Sequence, residues 1–397
     1  MHIISVEAVP WDVTMRQPFV TALGAKTRSP NIWVRVRLSD GSDGYGEGSA
    51  SLAMPQETQT AMLRTVEALA PLLPGQPLTR WDALRRRVWT RGGAHPAATA
   101  AVETALFDAL TRAWRIPLYQ WLGGAATRVE TGLTISAWPA AHAAAVARRA
   151  LRRGFRQFKI KVGSGALDAD VERVLAVRRA APRARLLLDA NQGWSVRETE
   201  QCAHRLRRAR VPIALIEQPL PAEDLTGLAH LTRRLRVPIA VDETVQTPAD
   251  ALRVVRCRAA HVINIKLAKS GLTGALAIGD IARAAGLRLM IGCMAESHAG
   301  LAASIHLACG TGAFAYIDLD SHLLTQPAPA RGGFIARGPH LTVFTTRPGT
   351  GVTCAAHPRP APAASVLGQS SASGLRNCAR KRRLWPRQRT HRMIAIA

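Results

Sequence analysis

The sequence predicts an α/β protein, a modified (β/α)₈ barrel preceded by a smaller α+β domain. Three observations carry that expectation. The chain has 397 residues, enough for one large barrel and a companion. Its 47% hydrophobic and 20% charged residues are the balance of a globular protein, and no apolar run is long enough to span a membrane. After Gly123-Gly124, eight short apolar runs alternate with Ala- and Arg-rich helical stretches.

The elements follow in order. Ile3–Val9, Ile32–Leu38 and Gly44–Glu47 read as strands of an antiparallel meander, turned at Ser39-Asp40-Gly41. From Gln56 the pattern becomes helical, most clearly at Ala98–Trp114, where Val102, Leu106, Ala109 and Ala113 share a face before Pro117 stops the run. The eight later runs end at Ile135, Lys161, Asp189, Glu217, Asp242, Lys266, Gly292 and Asp318, and from Lys161 on the ends lie 28, 28, 25, 24, 26 and 26 residues apart. That interval fits one strand plus one crossover helix, and no Gly-rich phosphate turn argues for an open doubly wound sheet. The expected division is an N-terminal domain over 1–125, a barrel over 126–353 whose last segment returns to that domain, and a basic, disordered tail over 354–397. The abrupt change of composition in the tail is also consistent with a shifted reading frame.

The formal charge of +26 suggests an acidic partner, but residues 355–397 hold nine Lys or Arg and no Asp or Glu. A basic tail does not explain a chain of strand-end carboxylates, so a protein that uses the barrel only as a scaffold for specific nucleic-acid binding is disfavoured. The six cysteines form no C-x-x-C pair, and residues 1–13 lack the charge and apolar run of a secretion signal. A cytoplasmic protein with reduced thiols and no structural zinc is expected.

Parallel strands bring their C-terminal ends to one mouth, so the terminal residues predict the chemistry. Asp189, Glu217 and Asp242 end three successive strands and form an oxygen-only set suited to a hard cation such as Mg²⁺. One such Asp is commonly a helix cap; three in succession flanked by lysines are not. The chain has only 6 Lys beside 47 Arg, yet Lys159, Lys161 and Lys266 stand at strand ends. Lysine can release a proton where arginine cannot, so the three lysines retained at strand ends suggest proton transfer. Lys269 is expected in a loop away from the site. Thr134, Cys293 and Ala295 are further candidates for the mouth lining, Ala295 through its backbone; Glu296 has no independent role, and His298 is expected at a helix cap or in solvent.

Lys159-Ile160-Lys161, Asp189-Ala190-Asn191, Ile216-Glu217-Gln218-Pro219, Asp242-Glu243 and Asn264-Ile265-Lys266 together resemble the enolase superfamily, in its muconate lactonizing enzyme subgroup. Gly44-Tyr45-Gly46-Glu47 and Pro117-Leu118-Tyr119 extend the resemblance to about Thr353. It implies a TIM-type barrel under an α+β capping domain, one Mg²⁺ per subunit and a homo-oligomer. Asp318-Leu319-Asp320 is similar to the D-x-D element with which dipeptide epimerases hold a free ammonium group. The resemblance therefore implies a dipeptide substrate inverted by 1,1-proton transfer through an enediolate, with Lys161 and Lys266 as the catalytic pair on opposite sides of the mouth, Lys159 as a fixed cation, and Asp318 and Asp320 as binding residues. A muconate- or chloromuconate-type cycloisomerase, an o-succinylbenzoate synthase and an N-acylamino acid racemase are alternatives that share the metal site but have no ammonium to bind; an inactive product of a disrupted gene is another. Gly24 stands where Ala-Glu-specific members carry an Arg, and Lys26 and Arg28 are the nearby basic residues available to replace it.

Overall fold

A computed structural model describes residues 1–354, and the expected tail and Cys378 otherwise lie outside them. The N-terminal sheet is a long hairpin, β1 (Ile3–Thr21) and β2 (Gly24–Leu38), with β3 (Asp43–Gly48) added to β2. The hairpin is much longer than the meander predicted from Ile3–Val9 and Ile32–Leu38. Val9, Trp11, Val13 and Met15 alternate inward along it, a period-two pattern that Pro10 and the polar run at Arg16-Gln17-Pro18 obscure in the sequence. The hairpin tip, from Phe19 to Lys26, projects to the barrel mouth.

Helices α1 (Gln59–Leu69), α2 (Trp81–Gly92) and α3 (Pro96–Ala113) follow, then the single turn α4 (Leu118–Trp121). Helix α3 is buried along nearly its whole length and joins the two domains. Its alanines let β3 approach closely: a Cβ at Gly44 would lie 2.2 Å from the Ala105 carbonyl, and one at Gly46 would lie 2.1 Å from that of Ala101. On the barrel side, buried Glu103 of α3 accepts the Leu272 N–H at 2.8 Å.

After β4 (Arg128–Glu130) come β5 (Leu133–Ile135), α5 (Ala140–Arg152), β6 (Gln157–Lys161), α6 (Leu167–Ala180), β7 (Arg185–Asp189), α7 (Val196–Arg208), β8 (Leu215–Glu217) and α8 (Leu225–Arg234). The alternation continues through β9 (Ile239–Val241), α9 (Pro248–Cys257), β10 (Val262–Ile265), α10 (Leu267–Ala284), β11 (Arg288–Gly292), α11 (His298–Thr311), β12 (Phe314–Asp318) and α12 (Ser321–Leu324). Strands β5 to β12 form one eight-stranded parallel sheet in chain order. Across the β5–β12 seam, the Gly132 N–H donates to the Ile317 carbonyl at 3.0 Å and the Thr134 N–H to Asp320 Oδ2 at 2.6 Å.

Side chains alternate along each strand, so those pointing into the barrel form layers. Leu187, Leu215, Ala240, Val262, Met290 and Tyr316 pack as a separate apolar plug. Two residues further along the same strands lie Asp189, Glu217, Asp242, Asn264, Gly292 and Asp318, a layer composed almost wholly of polar groups.

The chain ends with β13 (Ala330–Gly332), β14 (Phe334–Arg337), β15 (His340–Val343) and β16 (Val352–Cys354). Cys354, expected to begin the tail, instead pairs with Ala330. Thr350 of this segment donates to Asp108 Oδ1 of α3, and Arg112 of the same helix reaches the Val352 carbonyl at 2.6 Å. Among the described residues no helix is long and apolar enough to cross a membrane.

Candidate active site

The polar layer is buried and densely charged. Asp189, Glu217 and Asp242 are buried at the ends of β7, β8 and just beyond β9, and the register sets Asp189 beside Glu217. Burying carboxylates together is unfavourable unless cations compensate. Lys161 Nζ donates to Asp189 Oδ2 at 2.5 Å and to Asn191 Oδ1 at 2.9 Å. Lys266, the N-cap residue of α10, donates to Asp242 Oδ2 at 2.6 Å. Lys159 starts one layer lower on β6 and reaches up between Asp318, Asp189 at 3.2 Å and Glu217 at 3.3 Å.

These contacts govern protonation. Burial opposes the charge on Lys159, but Asp318, Glu217 and Asp189 outweigh it and hold its pKa well above the ordinary lysine value. Lys266 is likewise raised, burial being overcome by Asp242. Asp242 is held far below the carboxylate range, its burial outweighed by Lys266 and Lys269. Glu217 behaves oppositely: burial, reinforced by the neighbouring Asp189, pushes it up to about 8.

Lys269 is not in a loop apart from the site. It lies in the first turn of α10, buried, with its ammonium on Asp242 Oδ1 at 2.6 Å and on the Asp242 and Asn264 carbonyls. The sequence signal was the three-residue spacing from Lys266, which at a helix start turns both side chains the same way. Asn191 and Asn264 were also missed; Asn264 donates to Glu217 Oε1 at 2.6 Å.

The remaining predicted residues converge on the same cavity. Thr134, Asp318, Asp320, Cys293 and Ala295 line it with the lysines. Thr134 ties the aspartate pair together, its hydroxyl on Asp318 Oδ1 at 3.2 Å and its N–H on Asp320. Burial, with Asp318 nearby, raises Asp320 to about 7. The Cys293 thiol donates to the Asp318 carbonyl at 3.4 Å. The Ala295 carbonyl accepts from Asn31 of β2 at 2.9 Å, so its backbone docks the capping domain. His298 is stacked on Phe334 at 3.9 Å, away from the cavity lining.

The roof comes from the N-terminal domain. Phe19 lies 5.8 Å from Lys161 Nζ, and Met15, Leu23, Leu52 and Met54 add apolar surface. Gly24 sits at the hairpin tip with φ +130, and a Cβ there would touch Leu52. Arg28 pairs with Asp12 at 2.9 Å and does not line the cavity, whereas Lys26 does. Burial, together with Lys266 and Lys161, lowers the Lys26 amine to about 8.

The donors can be tested against a divalent cation. Among the described residues no three acidic, His or Cys side chains close on one point, because the lysines draw the carboxylates toward themselves. The chemistry still fits: the donors are all oxygen and stand on neighbouring strands, and buried Glu217 Oε2 accepts no hydrogen bond, its one charged neighbour being Lys159 Nζ at 3.3 Å. Asp189, Glu217 and Asp242 are the residues suited to hold such an ion.

Comparison with known proteins follows the same lines. Residues 3–123 match the family model for the mandelate racemase/muconate lactonizing enzyme N-terminal domain, and residues 142–357 match the enolase C-terminal domain-like model. An aromatic dipeptide epimerase of Herpetosiphon aurantiacus is 38% identical over 335 residues, 84% of this chain and 94% of that one. The substrate-liganded L-Ala-D/L-Glu epimerase of Bacillus subtilis superposes with a TM-score of 0.87 at 33% identity, covering 90% of this chain and all of the other. A dipeptide epimerase of Enterococcus faecalis, solved with Mg and L-Leu-L-Tyr, gives a TM-score of 0.85 at 32% identity over 89% of this chain and all of that one. With both domain models matched and these relatives aligned over most of their length, the chain belongs to the enolase superfamily, in its mandelate racemase/muconate lactonizing enzyme branch.

Proposed function

We propose that the protein is a Mg²⁺-dependent dipeptide epimerase that inverts the α-carbon beside the C-terminal carboxylate. The observation that carries this reading is the pair of buried lysines. Lys161 ends β6 and Lys266 follows β10, four strands apart around the mouth, with the carboxylate layer between them. An α-hydrogen next to a carboxylate is weakly acidic, so the base needs strong stabilisation of the charge that develops.

Mg²⁺, when bound by Asp189, Glu217 and Asp242, supplies positive charge to the substrate carboxylate. Lys159, held protonated, adds a second cation there. One of Lys161 and Lys266 takes the α-proton and the other returns a proton to the opposite face, which inverts the carbon. Asp318 and Asp320 bind the free ammonium and orient the dipeptide. The roof excludes water and receives the side chains. The dipeptide epimerases among the relatives support this reading over a cycloisomerase, an o-succinylbenzoate synthase or an N-acylamino acid racemase. Cys202, Cys257, Cys293 and Cys309, which form no disulfide among the described residues, support a reducing compartment, the cytoplasm.

The test is α-hydrogen exchange in deuterated water with Mg²⁺ over an L,L-dipeptide library, read by mass spectrometry and chiral chromatography. Exchange with inversion that is lost in Lys161→Ala and in Lys266→Ala is expected. No exchange by the folded, Mg²⁺-loaded protein on any member of the library would overturn the assignment.

A further inference from the structure

The end of the barrel opposite the mouth has a very different charge. Six helix-to-strand connections, residues 152–156, 178–185, 207–214, 233–238, 256–261 and 283–288, together contain 17 arginines and no Asp or Glu in 39 residues. The matching segments at the mouth, from strand end through the first helical turn, contain a single arginine, Arg197. An Arg-rich composition by itself would not sort the residues by face. Favourable contact with helix C-terminal dipoles accounts for arginines in the last helical turns. It does not account for Arg183, Arg210, Arg236, Arg258 and Arg288, which lie beyond the helix ends.

Apart from Arg156 and Arg178, which donate to backbone carbonyls, and the ion-paired Arg283, these groups can meet a ligand. Sixteen of the seventeen are exposed, and among the described residues only Arg283 makes an ion pair, with Asp280. At the centre of the face, the Arg185 and Arg288 guanidiniums lie 4.3 and 5.4 Å from the centroid of the Tyr316 ring, which plugs the barrel. To one side, Arg207, Arg210, Arg234 and Arg236 rim a cleft of about 730 Å³ between α7 and α8. So many like charges on one unpaired face repel one another, a cost that a polyanion relieves.

We propose that this face binds the phosphodiester backbone of nucleic acid, without sequence preference. Guanidinium forks match phosphate oxygens, and the nearly complete use of Arg over Lys on this face suits that geometry. A membrane surface is the weaker partner, because none of the large exposed hydrophobic side chains lies in these six connections. The face lies at the opposite end of the barrel from the catalytic cavity, so binding there leaves the chemistry unobstructed.

The experiment compares the full chain with Arg183→Gln/Arg210→Gln/Arg236→Gln/Arg258→Gln, none of which touches the cavity. Binding to a 20-base-pair DNA duplex is measured between about 50 and 200 mM salt, where six or more phosphate contacts cost roughly a thousandfold in affinity. The quadruple variant should bind at least about tenfold more weakly at 50 mM salt, with the log–log salt slope shallower by roughly 3 to 4, at about 0.9 per lost contact. Its α-hydrogen exchange activity should equal that of the parent. The same comparison in a background with the nine basic residues of 355–397 changed to Gln isolates the barrel face from the terminal segment. Unchanged affinity and slope in both backgrounds, no binding at 50 mM salt, or arginine-dependent binding to phosphatidylglycerol vesicles without binding to the duplex would each overturn the proposal.

Discussion

Gly292→Ala tests the two-lysine arrangement without removing either lysine. Gly292 ends β11 inside the polar layer, where a Cβ would lie 2.9 Å from Lys266 Cε and 3.0 Å from the Asn264 amide. Neither neighbour can yield freely, since Lys266 is bonded to Asp242 at 2.6 Å and Asn264 to Glu217 at 2.6 Å. Overpacking of this kind costs about 1–3 kcal/mol of stability. The larger effect should be kinetic. A shift approaching 1 Å in a reacting group can slow the step by about 100-fold. The shift falls on one lysine, so the loss should be one-sided. In deuterated water, the epimer deprotonated by Lys161 should keep exchanging its α-hydrogen while epimerisation falls. The epimer deprotonated by Lys266 should lose exchange and epimerisation together. Mass spectrometry of each purified epimer, with chiral separation of products, reads both quantities. Equal losses of α-hydrogen exchange for the two epimers, or none in a folded variant, would refute the assignment of the lysines to opposite faces.

Lys161→Ala and Lys266→Ala should each lower epimerisation by about 10²–10⁴-fold, the usual contribution of a general acid or base, with folding checked by circular dichroism. Asp320→Asn should raise KM for free dipeptides; if the wild-type Asp320 titrates near 7, KM should also rise as pH falls from 8 to 6, because protonation removes the charge that holds the ammonium. Lys26→Met should lower kcat/KM for dipeptides with an acidic side chain by about tenfold while leaving leucyl dipeptides nearly unchanged, since this amine faces the cavity without an ion-pair partner among the described residues. Glu217→Gln should weaken Mg²⁺ binding measured by calorimetry, and a chelator should abolish exchange until Mg²⁺ is restored.

The barrel was legible because its strands are short, buried and parallel, so each is an uninterrupted apolar run with a polar end. Lys161, Asp189, Glu217, Gly292 and Asp318 are strand-terminal residues as expected, and Asp242 and Lys266 each lie one residue beyond a strand. The hairpin was less legible, because Pro10 breaks the look of a strand although it pairs with Ile32, and residues 15–18 bulge out of the pairing before it resumes at Phe19. That concealed the length of the hairpin that carries Phe19 and Lys26 to the mouth. Lys269 was misplaced for another reason: strand-end reasoning stops at Lys266 and takes no account of the helix that begins at the next residue. The lysine contacts on Asp189 and Asp242 depend on how neighbouring charges settle together, and no local pattern encodes that.

The distribution of basic residues has a practical consequence. Lys26, Lys159, Lys161, Lys266 and Lys269, five of the six lysines in the chain, line a single cavity, while the opposite end of the barrel carries only guanidinium groups. The two ends can therefore be labelled independently. An amine-selective acylating reagent reports on the mouth and should be blocked by bound dipeptide, whereas a dicarbonyl reagent selective for arginine marks the far face and should be blocked by a bound polyanion. Peptide mapping after each treatment would give an occupancy footprint for either end from one preparation, with no engineered residue.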